Sequence, residues 1–188
     1  MKLLLVALLL MSTPAVAIAV ADADDVPAKL HRYYGTPTGY TKVHRDVMGW
    51  HKTTRNGCVA FASTALRHIG VEIPFDVRKD GSSVSRITRA FSRYLAEELG
   101  WERIESADQL RPGDVVFTVD APCCPGYPAH VMMFDGWLRR DHIMGRFVDN
   151  QGFRVSRAMA GNSSRDVDGF GYALRPRLEH RLPTAPGS

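Results

Sequence analysis

The sequence predicts an α+β domain in which helices come first and an antiparallel β-sheet follows. Two segments, residues 58–69 and 84–99, repeat apolar side chains at every third or fourth position, as an amphipathic helix does. Later segments are short and rich in valine, phenylalanine and isoleucine, which is typical of strands. Because the two patterns do not alternate along the chain, they favour helices layered on an antiparallel sheet over a parallel sheet.

The first 21 residues have the pattern of a secretory signal peptide. Lys2 precedes an apolar run at 3–10, and small-residue cleavage patterns follow at 15–17 and 19–21. The run is short for a bilayer span and is interrupted by Pro14. We therefore expect a secreted or periplasmic protein with no integral membrane span after cleavage of the signal.

The rest of the chain has the length of one domain. We assign residues 22–50 to an N-terminal lead-in, 51–178 to the folded domain and 179–188 to a flexible tail. Residues 22–40 are rich in proline, glycine, threonine and tyrosine without a sustained period, which predicts an extended or loosely packed segment. The formal net charge of +4 is diffuse, so it permits an anionic partner but does not indicate nucleic-acid binding.

The first predicted helix runs from residue 58 to residue 69, and Gly70 supplies its end. The second is expected over 84–99, with Ser82 or Ser83 as its N-cap.

The strand-like runs lie in the second half of the chain. Strict alternation would place His130 on the same side as Met132 and Phe134. The runs 130–138 and 143–149 are expected to form an antiparallel pair. The predicted strands are 114–119, 130–138, 143–149 and 171–174.

Three cysteines cannot all pair within one chain, so at least one thiol is left over. Cys123 and Cys124 are adjacent, and they can bond each other, remain reduced, or supply one partner to Cys58. Cys58 is the natural candidate for the free thiol.

Cys58 and His130 have the chemistry of a nucleophile and its base. The exposed N–H groups and the positive dipole end of a helix start favour a thiolate at Cys58. The imidazole of His130 can take the thiol proton and later protonate a leaving amine. The alternatives are that Cys58 only begins a buried helix face and that His130 is an ordinary surface residue.

A third group is needed to hold the imidazole in one tautomer. Asp149 and Asn150 end the strand expected to pair with the His130 strand, so either can orient the ring. The competing interpretation is an ordinary Asp-Asn turn. His142 is a further candidate, although it lies where the hairpin should turn.

A tetrahedral intermediate would also need hydrogen-bond donors. The backbone N–H of Cys58 is the first candidate, and the side chain of Asn56, Tyr40 or His51 is the second.

No cofactor is expected from the sequence. Phosphate-loop, dinucleotide-binding and G-x-S-x-G patterns are absent. Zinc would need clustered ligands, and Cys123, Cys124 and His130 approximate such a cluster poorly, so no metal is predicted. Asn162 begins a formal glycosylation sequon.

Three motifs together resemble the NlpC/P60 and CHAP superfamily of papain-like cysteine peptidases and amidases. They are Asn56 to Phe61, Leu110 to Phe117 and Ala129 to Gly136, and the resemblance covers about residues 50 to 175. It implies a papain-like α+β fold, with an N-terminal nucleophile helix packed on an antiparallel sheet. It also implies hydrolysis of amide bonds in peptidoglycan peptides through a thioester.

The resemblance implies that Cys58 is the nucleophile, His130 the base and Asp149 or Asn150 the third member. The chain departs from the family at the nucleophile, where NlpC/P60 enzymes usually have Asp-Cys-Ser-Gly and this chain has Gly-Cys-Val-Ala. Peptidoglycan or another peptide is the expected partner, and no inhibitor protein can be named. Two alternatives stay open: a non-catalytic cell-wall or protein-binding module, and transglutaminase-like amide exchange.

Overall fold

The computed structural model describes residues 25–159 and 169–177. The predicted signal peptide, the sequon at Asn162 and the predicted tail lie outside the described residues. Within the described ranges, no helix combines the length and the apolar character needed to cross a membrane.

The described residues form an α+β structure, as predicted. The sheet is antiparallel throughout, with strand order β1-β6-β2-β3-β4-β5. The helices are α1 (Val26–Tyr34), α2 (Pro37–Trp50), α3 (Cys58–His68) and α4 (Thr88–Arg93), which continues as a π-helical turn (Tyr94–Glu98). The strands are β1 (Glu102–Ile104), β2 (Val115–Thr118), β3 (Val131–Trp137), β4 (Met144–Asp149), β5 (Gly152–Ala158) and β6 (Phe170–Arg175). A short 3-10 turn, Ala107–Gln109, precedes β2.

Helix α3 is the helix predicted at 58–69, and it lies at the centre of the core. Every residue from Val59 to Leu66 is buried, and the helix packs against β3 and β4. Val131 and Met133 of β3 belong to this core. A second apolar cluster, which includes Met132 and Phe134, contains no α3 residue and lies on the other face of the sheet. Helix α3 is therefore held against β3, which follows His130, and β4, which ends at Asp149.

The prediction of an extended lead-in over residues 22–40 is wrong for the described part. Pro27 and Pro37 contribute to the composition behind that prediction, yet each lies in the first turn of a helix, where its missing N–H has no partner to lose. Thr36 caps α2 by accepting a hydrogen bond from the backbone N–H of Gly39 at 3.1 Å. Both helices bury apolar residues in the core shared with α3: Val26, Leu30, Tyr34, Val43 and Val47.

The second predicted helix begins later than expected. Ile87, not Ser82 or Ser83, is the N-cap of α4. Ser83 and Ser85 are fully buried, and each hydroxyl donates to a backbone carbonyl of the preceding loop at 2.7 Å. These serines therefore fix the loop and do not start the helix.

The four predicted strands are confirmed to within two residues at their ends, and β3 and β4 form the expected antiparallel pair. Strands β1 and β5 were not predicted. Strand β1 has only three residues, and β5 has charged or hydroxyl side chains at Arg154, Ser156 and Arg157 and few apolar ones.

The segment from Leu110 to Phe117 has a structural role at the start of β2. Gly113 has a φ of +96°, and a Cβ there would clash with the backbone carbonyl of Pro27 in α1. The buried Asp114 accepts from the guanidinium of Arg175 at 2.6 and 2.7 Å and from the backbone N–H of Arg111 at 2.7 Å. The motif thus joins α1 and β6 to the strand that precedes His130.

Candidate active site

Cys58 is the first residue of α3, and its thiol is free and partly exposed. Cys123 and Cys124 are joined to each other as a disulfide, so neither one blocks Cys58. The N-cap residue Gly57 packs closely against the preceding loop, where an added Cβ would lie 2.9 Å from the carbonyl oxygen of Thr54. The sequence therefore places a thiol at a helix N-terminus with little bulk before it.

His130 lies immediately before β3 and is only 8 % exposed. Its backbone N–H donates to Thr118 Oγ1 at 2.9 Å, and its carbonyl accepts from the Thr118 N–H at 3.1 Å. The imidazole interacts with Cys58 of α3, whereas Met132 and Phe134 lie on the other face of the sheet. The expectation that His130 shares their face is wrong because His130 precedes the regular strand.

Asp149 is the residue that orients the ring. Nε2 of His130 donates to Asp149 Oδ2 at 2.8 Å. The same oxygen accepts from Arg157 Nη2 at 2.6 Å, while Oδ1 accepts from the N–H groups of Gln151 at 2.7 Å and Gly152 at 3.2 Å. The carboxylate is 1 % exposed, and its hydrogen bonds fix its position.

The charges of the site favour an imidazolium. Burial alone would lower the pKa of His130, but hydrogen bonding and charge from Asp149 and Cys58 outweigh it and raise the pKa to about 9. Burial alone would raise the pKa of Asp149, but His130 and Arg157 hold it below its usual value. The protonated His130 ring thus interacts with the Asp149 carboxylate and with the Cys58 thiol.

Asn150 and His142 do not contact the His130 ring. Asn150 Nδ2 donates to the carbonyl of Thr54 at 2.8 Å, which ties the β4–β5 turn to the loop before Cys58. His142 stacks on Trp137 at 4.7 Å and hydrogen-bonds Asp108 at 3.0 Å. Of the three predicted orienting residues, Asp149 alone is brought to the ring.

The predicted second oxyanion donors are Tyr40, Asn56 and His51, and the described residues show no hydrogen bond from any of them to Cys58. Tyr40 packs against Phe61 and Phe153, and burial, together with the Asp149 charge, raises its pKa. Asn56 is exposed, with a φ of 54°. A Cβ added to Gly57 would lie 3.6 Å from Cδ2 of the His51 ring.

Thr118, Gln151 and Arg157 were missed by the sequence analysis. Phe153, Val155 and Arg157 alternate along β5, so recognising that strand would have predicted a charged side chain on its inward face. The role of Thr118 depends on the pairing of β2 with the residues before β3, which periodicity does not reveal.

No protein-family model, curated protein sequence or solved structure matches the chain. Across residues 25–159 and 169–177, no group of three or more His, Cys, Asp or Glu side chains is arranged to hold a metal ion. The function is therefore inferred from the geometry of the chain's own residues.

We expect the stability of the fold to decrease as the pH rises through about 9. The pKa of His130 is raised from 6.5 to about 9 in the folded state, so its contribution is complete below pH 6.5 and is lost as the pH passes about 9. Urea unfolding between these two pH values should show the decrease. His130→Ala should flatten this slope and His142→Ala should keep it; equal slopes in wild type and His130→Ala would contradict the assignment.

Proposed function

We propose that the chain is a papain-like cysteine hydrolase, secreted or periplasmic, that cleaves amide bonds in peptidoglycan peptides. The observation that carries the proposal is the connected series of Cys58, His130 and Asp149: a free thiol at a helix start, a buried imidazole and a fully buried carboxylate. This arrangement supports assigning Cys58 as nucleophile, His130 as base and Asp149 as orienting group.

Asp149 sets the direction of proton transfer. Because Nε2 of His130 donates to Asp149, Nδ1 is the nitrogen left for the thiol. The carboxylate also stabilises the imidazolium, whose pKa of about 9 keeps it charged at neutral pH. Cys58 and His130 are therefore proposed to react as a thiolate–imidazolium pair.

In the first half of the reaction, Cys58 Sγ attacks the carbonyl carbon of the amide. The oxyanion accepts a hydrogen bond from the Cys58 backbone N–H at the start of α3. As the C–N bond breaks, His130 gives its proton to the leaving amine, and the acyl group remains on sulfur as a thioester.

In the second half, water attacks the thioester and His130 removes a proton from it. The C–S bond breaks, the carboxylic acid product leaves, and the sulfur returns to its resting state beside the protonated ring. The net change is one water consumed for each amide bond cleaved.

Cell-wall peptide is proposed as the substrate on two grounds. The motifs around Cys58 and His130 resemble enzymes that cleave such peptides, and the N-terminal pattern is that of an exported protein. The net charge of +4 is compatible with an anionic polymer.

The reaction of Cys58 with iodoacetamide separates a hydrolase from a binding module that has lost turnover. At neutral pH, we expect Cys58 to be alkylated at least tenfold faster in wild type than in His130→Ala, because the imidazolium stabilises the thiolate. Peptide mapping assigns the label, and the Cys123–Cys124 disulfide does not react. His142→Ala should match wild type, whereas equal rates in wild type and His130→Ala would favour the binding module.

A further inference from the structure

Arg86 is a half-buried arginine that lies over an aromatic ring and lacks an acidic partner in the described residues. Its guanidinium carbon is 5.6 Å from the centre of the Trp50 ring, and its Nε is buried without a hydrogen-bond partner there. Several other arginines of the described residues face carboxylates: Arg157 with Asp149, Arg175 with Asp114, and Arg146 and Arg154 with Asp135. The half-buried Arg67 instead donates to hydroxyl and carbonyl oxygens. An incompletely paired guanidinium favours the binding of an anion.

The acids of the neighbouring loop do not neutralise Arg86. Asp76 binds the guanidinium of Arg78 through both oxygens, at 2.8 to 3.1 Å. Asp80 accepts a hydrogen bond from the backbone N–H of Ser82 at 3.0 Å. The positive charge over Trp50 is therefore available to an external partner.

His51 carries a second polar atom without a partner at the same place. Its ring meets Trp50 edge-on at 5.4 Å, and its buried Nδ1 has no hydrogen-bond partner in the described residues. Burial lowers the pKa of His51, and the positive charges of Arg86 and Lys79 lower it further, against the opposing hydrogen bond with the Arg55 carbonyl. A bound anion would relieve this positive field.

This group lies beside Gly57, the residue before the proposed nucleophile. His51 Cδ2 lies 3.6 Å from the position that a Cβ on Gly57 would occupy, and Gly57 immediately precedes Cys58. On the other side, the 60 % exposed Phe75 meets Trp50 edge-on at 5.1 Å and extends the aromatic surface. A ligand on this surface would lie beside the segment that leads into α3.

We propose that Trp50, His51 and Arg86 form a subsite for a carboxylate of the substrate, close to the bond that Cys58 attacks. Arg86 donates to the carboxylate oxygens from its terminal Nη groups, the neutral His51 ring lies beside them without bonding the carboxylate, and the Trp50 ring holds the guanidinium in place. The carbon chain that bears the carboxylate packs on Trp50 and Phe75. The term substrate rests on the proposed hydrolase function, whereas recognition of a carboxylate does not depend on turnover.

The subsite is tested by binding, in protein that carries Cys58→Ala so that no turnover occurs. The probes are synthetic stem-peptide fragments in which each free carboxylate is replaced in turn by a carboxamide. Calorimetry should show that one replacement weakens binding about tenfold, as expected for loss of a charge-assisted hydrogen bond. Arg86→Gln should remove this preference, and Arg86→Lys, which keeps the charge, should retain part of it.

Arg103→Gln is the matched control, because Arg103 also stacks on an aromatic ring, that of Tyr172, at 3.6 Å. The Arg103→Gln protein should keep the full preference for the carboxylate over the carboxamide. Equal affinity for acid and amide, an unchanged preference in Arg86→Gln, or no binding of any fragment would overturn the subsite. A preserved preference together with absent wild-type turnover would instead contradict the hydrolase function and leave the subsite standing.

Discussion

Cys58→Ala should abolish turnover and leave the fold intact. The substitution removes the only atom proposed to attack the carbonyl, so we expect a loss of about a thousandfold or more. Alanine is the best helix former, and Cys58 is partly exposed at the helix start, so stability should change by no more than about 1 kcal/mol.

Release of soluble fragments from purified cell wall measures the activity, and thermal unfolding followed by circular dichroism measures the fold. His142→Ala, whose side chain lies on Trp137, serves as the control and should behave as wild type. Full activity in a folded Cys58→Ala protein would end the hypothesis of a thiol nucleophile.

Asp149→Ala should reduce both turnover and stability. The carboxylate accepts hydrogen bonds from His130, Arg157 and two backbone N–H groups while it is almost fully buried. Its removal leaves the buried His130 imidazolium without its acidic partner, which costs about 3–5 kcal/mol of unfolding free energy. Loss of the oriented tautomer should lower turnover by about ten-thousandfold.

Two further variants separate these effects. Asp149→Asn keeps the size of the side chain but loses its charge, so it should retain more stability than alanine while remaining nearly inactive. Asn150→Ala loses one hydrogen bond, to the Thr54 carbonyl, and should cost only about 1 kcal/mol. Wild-type rates in both Asp149→Ala and Asn150→Ala would remove both residues from the mechanism.

The parts of the fold that could be predicted are those whose pattern is local. Helix α3 shows its apolar face within its own residues, and β2, β3, β4 and β6 are short apolar runs between turns. Helices α1 and α2 were not predicted because proline breaks a helix anywhere except in its first turn. Pro27 and Pro37 both lie in a first turn.

The two reactive residues of the candidate site, Cys58 and His130, could be predicted from the sequence. The residues that hold them in place could not. The choice between Asp149 and Asn150 depends on which side of the β4 end each one faces, and a register shift between Phe147 and Asp149 breaks the simple alternation there. Arg157 reaches Asp149 from a strand that was not predicted. Such contacts depend on the pairing of strands, which single-sequence periodicity does not report.

Mass spectrometry of purified peptidoglycan after incubation with the protein tests the proposed hydrolysis most directly. We expect wild type to produce fragments with one new carboxylate, one new amine and one added water per bond cleaved, and Cys58→Ala to produce none. An unchanged fragment pattern with folded wild-type protein, or the same fragments from Cys58→Ala, would contradict a Cys58 hydrolase acting on cell-wall peptide.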